Sequence, residues 1–286
     1  MKRATTKRIS VSMAMSAAVL LSANVAAKTV PDSLIEEHRA TLEKNTNGMG
    51  FGPQSPRDID VKNGVNKRVF GTAPVSTQMN LCNIHFHKNA EHKGGEFTTY
   101  AGNGDGMGNN TGFKYNGTLT AAEAKPVSAK ICAGKGAPMQ SGDTIEVHFV
   151  YSSANVQPGP TLGACLADST MNPGLRVEGQ VLVLVNDDDA VDFADLTEID
   201  NVNGYHQAVN IPSNTGTPIQ YLGSTTGPSY NEKASPLQVS WSVRPQVAKV
   251  DINSVGEWCE SNVFNEDHAH GVRNLVINEK LLSPIM

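Results

Sequence analysis

The chain has 286 residues, 39% of them hydrophobic, with a formal net charge of −5 and four cysteines. That length supports one large domain with a full core. The acidic balance argues against nucleic acid as a partner, and beyond the N-terminal stretch no run is long and apolar enough to cross a membrane.

The N-terminus reads as a leader. Lys2, Arg3, Lys7 and Arg8 form a basic segment, residues 11–21 an apolar one, and Asn24-Val25-Ala26-Ala27 offers small residues for cleavage. This is the pattern of a secretory signal peptide spanning residues 1–27. The alternative, a membrane anchor, is disfavoured because the apolar run is short and no cysteine follows it for lipidation. Removing residues 1–27 takes away four basic and no acidic residues, so the charge falls from −5 to −9. The expected location is periplasmic or secreted. In such an oxidising place Cys82, Cys132, Cys165 and Cys259 should form one or two disulfides. Their spacing does not say which pair, and no C-x-x-C is present to favour a zinc–thiolate site.

Residues 28–286 read as one mainly β domain with few helices. The run from Ser33 to Lys44 is helical in pattern, with Asp32 placed to cap it, and Gly48, Gly50 and Gly52 close it. Short alternating segments follow, and the expected strands are 82–87, 96–100, 112–115, 144–151, 177–185 and 237–243. Residues 102–112 and 153–173, rich in Gly, Asn and Pro, read as long surface loops. Asn186-Asp187-Asp188-Asp189 reads as a solvated turn more readily than as a calcium site, because the EF-hand spacing is missing. Asn109-Asn110-Thr111 matches a glycosylation sequon, a motif frequent by chance.

The chemistry concentrates in Asn83-Ile84-His85-Phe86-His87. On a strand, His85 and His87 share one face and Ile84 and Phe86 the other. Asn83 lies on the histidine face, where its amide oxygen can take the free N–H of a ligating imidazole. Glu146-Val147-His148-Phe149-Val150 repeats the logic, with Glu146 beside His148. Three imidazoles plus water make the ligand set of a catalytic zinc site with one open position. The bland alternative is a pair of surface histidines on an edge strand.

Gln54-Ser55-Pro56-Arg57-Asp58-Ile59, the His-x-His strand, the Glu91-His92 pair and the later Glu-x-His-x-Val resemble, in that order, α-type carbonic anhydrases. So do Gly174-Leu175-Arg176-Val177-Glu178-Gly179, the loop Gly223-Ser224-Thr225-Thr226-Gly227-Pro228 and the strand Val239-Ser240-Trp241-Ser242-Val243. The compact Asn83-x-His85-x-His87-x-x-x-Glu91-His92 segment is closer still to δ-type carbonic anhydrases. The resemblance implies an α-carbonic-anhydrase-like α+β domain around a large twisted, mostly antiparallel sheet. It implies zinc-dependent hydration of CO2 to bicarbonate and a proton, by attack of zinc-bound hydroxide. His85, His87 and His148 would hold Zn2+, and Asn83 and Glu146 would orient them. Thr225 would accept the hydroxide proton, with Glu91 holding the threonine and Glu96 as a rival. Val150 and Val177 would line the CO2 pocket. The loop is one residue shorter than the family pattern and has Gly227 for its first proline, so two registers are open for the threonine. No histidine lies between Gln54 and Asn83, where the α type places its proton shuttle. His92 is the first substitute, with His206, His268 and His270 behind it.

Two other readings fit parts of the pattern. His85, His87 and Glu91 match the His-x-His-x(3–4)-Glu fragment of cupin-type oxygenases and isomerases, whose 2-His-carboxylate set favours iron or manganese. A non-catalytic exported zinc-binding β domain would keep the histidines without turnover. After leader removal the only expected partner is the small molecule, CO2 or bicarbonate; no nucleic acid or membrane is expected, and oligomeric state is open.

Overall fold

The computed structural model describes residues 29–286, so the leader expected at 1–27 lies outside the described residues. The first element is α1, Asp32–Thr46, which buries Ile35 and Leu42. Leu42 packs on Val276, Leu281 and Leu282 near the C-terminus. Asp32 does not cap this helix. Pro31 holds the cap position, and Asp32 is the first helical residue, its carboxylate accepting from Asn103 Nδ2 at 2.7 Å.

Ten strands are present among the described residues: β1 Asn80–Lys88, β2 Thr99–Tyr100, β3 Phe113–Lys114, β4 Thr144–Ser152, β5 Leu175–Val185, β6 Ile199–Val202, β7 Tyr205–Ala208, β8 Ile219–Ser224, β9 Gln238–Val243 and β10 Ala248–Asp251. Six of them form the main sheet, in the order β1-β4-β5-β9-β8 with β10 also on β5. The pairs β1/β4, β4/β5 and β8/β9 are antiparallel. β5 runs parallel to both β9 and β10. The domain is thus mainly β around one mixed sheet, as expected in class. β5 is the axis: β4 pairs along its whole length, while β9 and β10 follow each other along its other edge, at Arg176–Gly179 and Leu182–Val185 respectively.

The expected strands at 82–87, 144–151, 177–185 and 237–243 form, each a little longer or shorter than its pattern. The one expected at 96–100 shrinks to Thr99–Tyr100, because Glu96 is spent on a turn, its backbone N–H donating to Pro245 O at 2.9 Å. Four strands carried no clear alternation. β6 and β7 form a hairpin turned by Asn203 and Gly204 with φ of 54° and 87°, a geometry that Asn-Gly suits. β8 and β10 are short pieces completed by their neighbours. Two further helices, α2 Phe193–Leu196 and α3 Ile252–Glu260, are capped by Asp192 and Asp251, whose carboxylates accept the first free N–H groups.

One face of the sheet carries Ile84, Phe86, Val147, Phe149 and Leu182 into a core closed by Phe193 and Trp258. Their rings meet edge to face, with Phe193 and Trp258 centroids 5.1 Å apart. The other face carries Val150, Val177, Val181, Tyr221 and Trp241. Residues 102–112 and 153–173 are loops, the second holding one 3-10 turn, Leu162–Cys165. All four cysteines are paired, as Cys82–Cys165 and Cys132–Cys259, across 83 and 127 residues. Cross-links of that span restrict the unfolded chain by about 4.5–5 kcal/mol in the loop-entropy account. Replacing Cys132 and Cys259 together with alanine should lower stability by about 2–5 kcal/mol, read from urea unfolding under non-reducing conditions. No helix among the described residues is long and apolar enough to cross a membrane.

Candidate metal centre

The β1/β4 register sets His85 directly opposite His148, His87 opposite Glu146, and Asn83 opposite Val150. With a side-chain period of two, all these residues stand on one face. The imidazole centroids lie 5.2 Å (His85–His87), 5.1 Å (His85–His148) and 4.7 Å (His87–His148) apart. One nitrogen from each ring lies within 4.8 Å of the others.

What holds each ring decides which nitrogen is free. Asn83 Nδ2 donates to the Gly159 carbonyl at 3.1 Å, so its Oδ1 faces His85 Nδ1 at 2.6 Å as an acceptor. His87 Nδ1 donates to the Gly271 carbonyl at 2.8 Å. His148 Nε2 donates to Glu146 Oε1 at 3.0 Å. These partners can only accept, so each facing nitrogen carries the proton. That leaves Nε2 of His85, Nε2 of His87 and Nδ1 of His148 with bare lone pairs. His87 Nε2 is buried with no hydrogen-bond partner, a cost that folded proteins avoid unless something occupies the atom. Three neutral nitrogens with one side open are the donor set that suits zinc. Burial, then the neighbouring His148, His87 and His270, holds His85 well below its ordinary pKa. Burial likewise lowers His87 to about 4. Burial pushes His148 down too, but the hydrogen bond and charge of Glu146 outweigh it and leave its pKa raised.

Glu146 is a buried hub behind the imidazoles. Its Oε1 takes His148 Nε2 and His92 Nδ1 (2.7 Å), and its Oε2 takes the backbone N–H groups of Glu91 (2.8 Å) and His92 (3.1 Å). These use the full acceptor capacity of a carboxylate. Burial alone would raise its pKa, but His92 and His148 hold it well below the usual carboxylate range. His92 passes on to Tyr221 through Nε2, at 2.6 Å from the phenol oxygen. The residue is 0% exposed with both ring nitrogens engaged. That removes it from the shuttle role expected of it: a shuttle must reach water, and His92 is part of the support. Among the other histidines considered, His206 sits on β7, whereas His268 and His270 reach the site.

The threonine question resolves by one position. Thr225 Oγ1 pairs with Ser235 Oγ at 2.6 Å. Thr226 Oγ1 donates to Glu91 Oε2 at 2.5 Å, so Thr226, not Thr225, forms the threonine–carboxylate pair. Glu91 is the carboxylate in question, its Oε1 also accepting the Arg273 backbone N–H at 3.3 Å. Glu96 is occupied elsewhere, accepting from Val247 N. Gln54 and Ser55 pin this loop from beneath. Ser55 Oγ accepts from Ser224 N and from the Tyr221 hydroxyl, both at 3.1 Å, and Gln54 Oε1 accepts from Ser235 N at 2.8 Å. Arg273, fully buried and lowered to about 10 by burial, donates to the Ser55 carbonyl at 2.7 Å.

In front of the three histidines lies a cavity of about 530 Å³. Val150 and Val177 line it as expected, and Leu162, Leu175, Val239 and Trp241 extend the same apolar wall. The opposite side is polar, with Lys135, Glu266, His268 and His270. The His270 ring lies 5.5 Å from His85, and the His268 ring stacks on His270 at 5.4 Å. The Gly271 carbonyl and Arg273 were not legible as site groups: a backbone acceptor has no sequence signature, and a lone arginine reads as surface.

The model of the delta carbonic anhydrase family matches residues 76–254, a span that holds His85, His87, His148, Glu91, Glu146 and the threonine pair. None of the curated proteins matches the chain. Among solved structures, a hyperthermostable carbonic anhydrase from an active hydrothermal vent chimney is 15% identical, with 79% of this chain and 85% of that chain covered and a TM-score of 0.28. The α-carbonic anhydrase of Thermovibrio ammonificans in complex with sulfanilamide is 15% identical over 78% and 84% of the two chains, at 0.27. Carbonic anhydrase Cah3 of Chlamydomonas reinhardtii with acetazolamide is 17% identical over 79% and 87%, at 0.28. Superpositions that loose add nothing to the assignment, which the match over well more than half of the sequence carries by itself: the chain belongs to the delta carbonic anhydrase family.

Proposed function

We propose that the chain catalyses the reversible hydration of CO2 to bicarbonate and a proton, with zinc held by His85 Nε2, His87 Nε2 and His148 Nδ1. The observation that carries this is the convergence of three free nitrogens within 4.8 Å, each freed by an acceptor behind its ring. Zinc bound there would lower the pKa of a coordinated water to about 7 and so would supply a hydroxide nucleophile at neutral pH. The remaining work belongs to the side chains. Thr226 donates its hydroxyl proton to Glu91, so its oxygen can only accept and would fix the direction of an O–H donor placed before it. Thr225 supports the loop. Val150, Val177 and the apolar residues around them hold CO2 by contact without competing for the ion. Asn83, Gly271 and Glu146 keep the ligands in place.

The cupin alternative loses its ground, since both Glu91 oxygens are engaged by Thr226 and Arg273 and the sheet is open and mixed. The proton leaves through His270 and then His268. The His270 side chain is 40% exposed and its Nε2 lies 2.6 Å from Glu266 Oε2. Replacing His270 with alanine should lower kcat by roughly tenfold or more in weak buffer and leave kcat/KM unchanged. Added imidazole should restore the rate. Two disulfides fit an oxidising compartment, and the mature chain is read as periplasmic or secreted.

The deciding experiment is stopped-flow CO2 hydration by residues 28–286 loaded with one zinc per chain. A rate far above that of free zinc is expected. A zinc-loaded chain no faster than the free ion would leave only the non-catalytic reading.

A further inference from the structure

β1 is irregular just before its histidines. Leu81 lies opposite Tyr151 and Asn83 opposite Val150, so Cys82 has no partner on β4. A bulge of this kind re-aims the side chains around it. Leu81 and Ile84 both enter the core on one face, while Cys82 packs with Val150 on the other and Asn83 lines the cavity beside His85. Two consecutive residues thus face the metal side.

Both grip the same loop. Cys82 is bonded to Cys165, and its carbonyl accepts from Gly159 N at 3.0 Å. Asn83 Nδ2 donates to the Gly159 carbonyl at 3.1 Å. Cys165 is tied once more, its carbonyl accepting from Ser152 Oγ at 2.7 Å. Between these ties stands Leu162, on the apolar wall of the cavity. The loop contains no long element, only the turn Leu162–Cys165, and besides the cross-link it is held to β1 by Asn80 Nδ2 on the Ala154 carbonyl at 2.9 Å and by the Gly159 N–H on Cys82.

The orientation of the Asn83 amide is what matters chemically. With Nδ2 on Gly159, Oδ1 must face His85, and His85 carries its proton on Nδ1 with Nε2 bare. If the amide flipped, His85 Nδ1 would have to accept and Nε2 would carry the proton, closing that atom to a cation. The Gly159 carbonyl is the group that forbids the flip. We propose that the Cys82–Cys165 disulfide is a positioning element of the metal centre: it holds the Gly159 carbonyl on Asn83, and Asn83 thereby keeps His85 in its ligating tautomer. This rests on the zinc reading above. Cys132–Cys259 closes the longer loop but touches none of the groups that hold the three imidazoles.

The test compares the two cross-links in chain 28–286. Zinc affinity is measured by competition with a chromophoric chelator, and the His85 tautomer by nitrogen NMR of the metal-free protein. Cys82→Ala/Cys165→Ala should bind zinc about 10- to 100-fold more weakly and show a mixture of His85 tautomers. Cys132→Ala/Cys259→Ala should stay within about twofold of the parent affinity, since neither cysteine bonds to a group that holds an imidazole. Asn83→Leu should cost about as much as losing Cys82–Cys165 and add little on top of it. Parent-like affinity and a single His85 tautomer in Cys82→Ala/Cys165→Ala would overturn the positioning role and leave the zinc reading intact. Failure of the parent to bind zinc would overturn the zinc reading itself. If the doubly substituted chain does not fold, Cys132→Ala/Cys259→Ala decides: it keeps Cys82–Cys165 as its one disulfide, and unchanged zinc affinity with a single His85 tautomer after a phosphine reduces that bond also overturns the role.

Discussion

Replacing His148 with alanine should weaken zinc binding by about three orders of magnitude and bring CO2 hydration down to the level of the free ion. The size follows from sharing an apparent zinc affinity of about 10–16 kcal/mol among three protein ligands, at 1.4 kcal/mol per tenfold. The fold should survive. Glu146 loses one partner but keeps His92 Nδ1 and the backbone N–H groups of Glu91 and His92, so its buried charge stays compensated. Metal content after dialysis and stopped-flow rates measure the two halves of the effect, and circular dichroism checks the fold. A His148→Ala chain that retained stoichiometric zinc would point to a ligand set built from His85, His87 and a carboxylate instead.

The second large effect separates two adjacent threonines. Thr226→Val should lower kcat/KM by about 100-fold, the usual cost of losing the orientation of a reacting group, while zinc content stays at one per chain. Thr225→Val removes a bond to Ser235 at the back of the loop and should cost less than about tenfold. Glu91→Gln should reproduce most of the Thr226→Val loss and add little to it, because the two side chains act as one unit. Equal losses at Thr225 and Thr226, or a larger one at Thr225, would return the role to the first threonine. Steady-state CO2 hydration by the three single variants and by Glu91→Gln/Thr226→Val reads this directly.

The histidine strand was legible because its two faces differ so sharply. Ile84, Phe86, Val147 and Phe149 are apolar and fully buried, which forces His85, His87 and His148 to the other side. The strands expected on β4, β5 and β9 were legible for the same reason. Choosing Thr226 over Thr225 was not, since a shortened glycine-flanked loop has no period to count from. His92 misled because its neighbours in sequence do not show that Glu146 and Tyr221 close over it from strands far along the chain. The Cys82–Cys165 pairing and the Gly271 carbonyl were equally hidden: both depend on where loops return to β1. The short strands β8 and β10 lack alternation because a sheet already built completes them, whereas β6 pairs only with β7 in a hairpin outside that sheet.

His85 opposite His148 has a consequence for how the chain reaches its native state. A slip of one residue in β1 against β4 would turn His85 and His87 into the apolar core and Ile84 and Phe86 outward, parting both imidazoles from His148. Only the correct pairing brings the three imidazoles together, so an ion held by them would favour the native arrangement over its slipped rivals. Free zinc at 100 times its dissociation constant then adds about 2.7 kcal/mol to the native state by mass action. On the proposed zinc reading the metal supply would thus act as a thermodynamic selector of strand register, and a chain folding in zinc-poor surroundings would compete with its own misaligned forms on weaker terms.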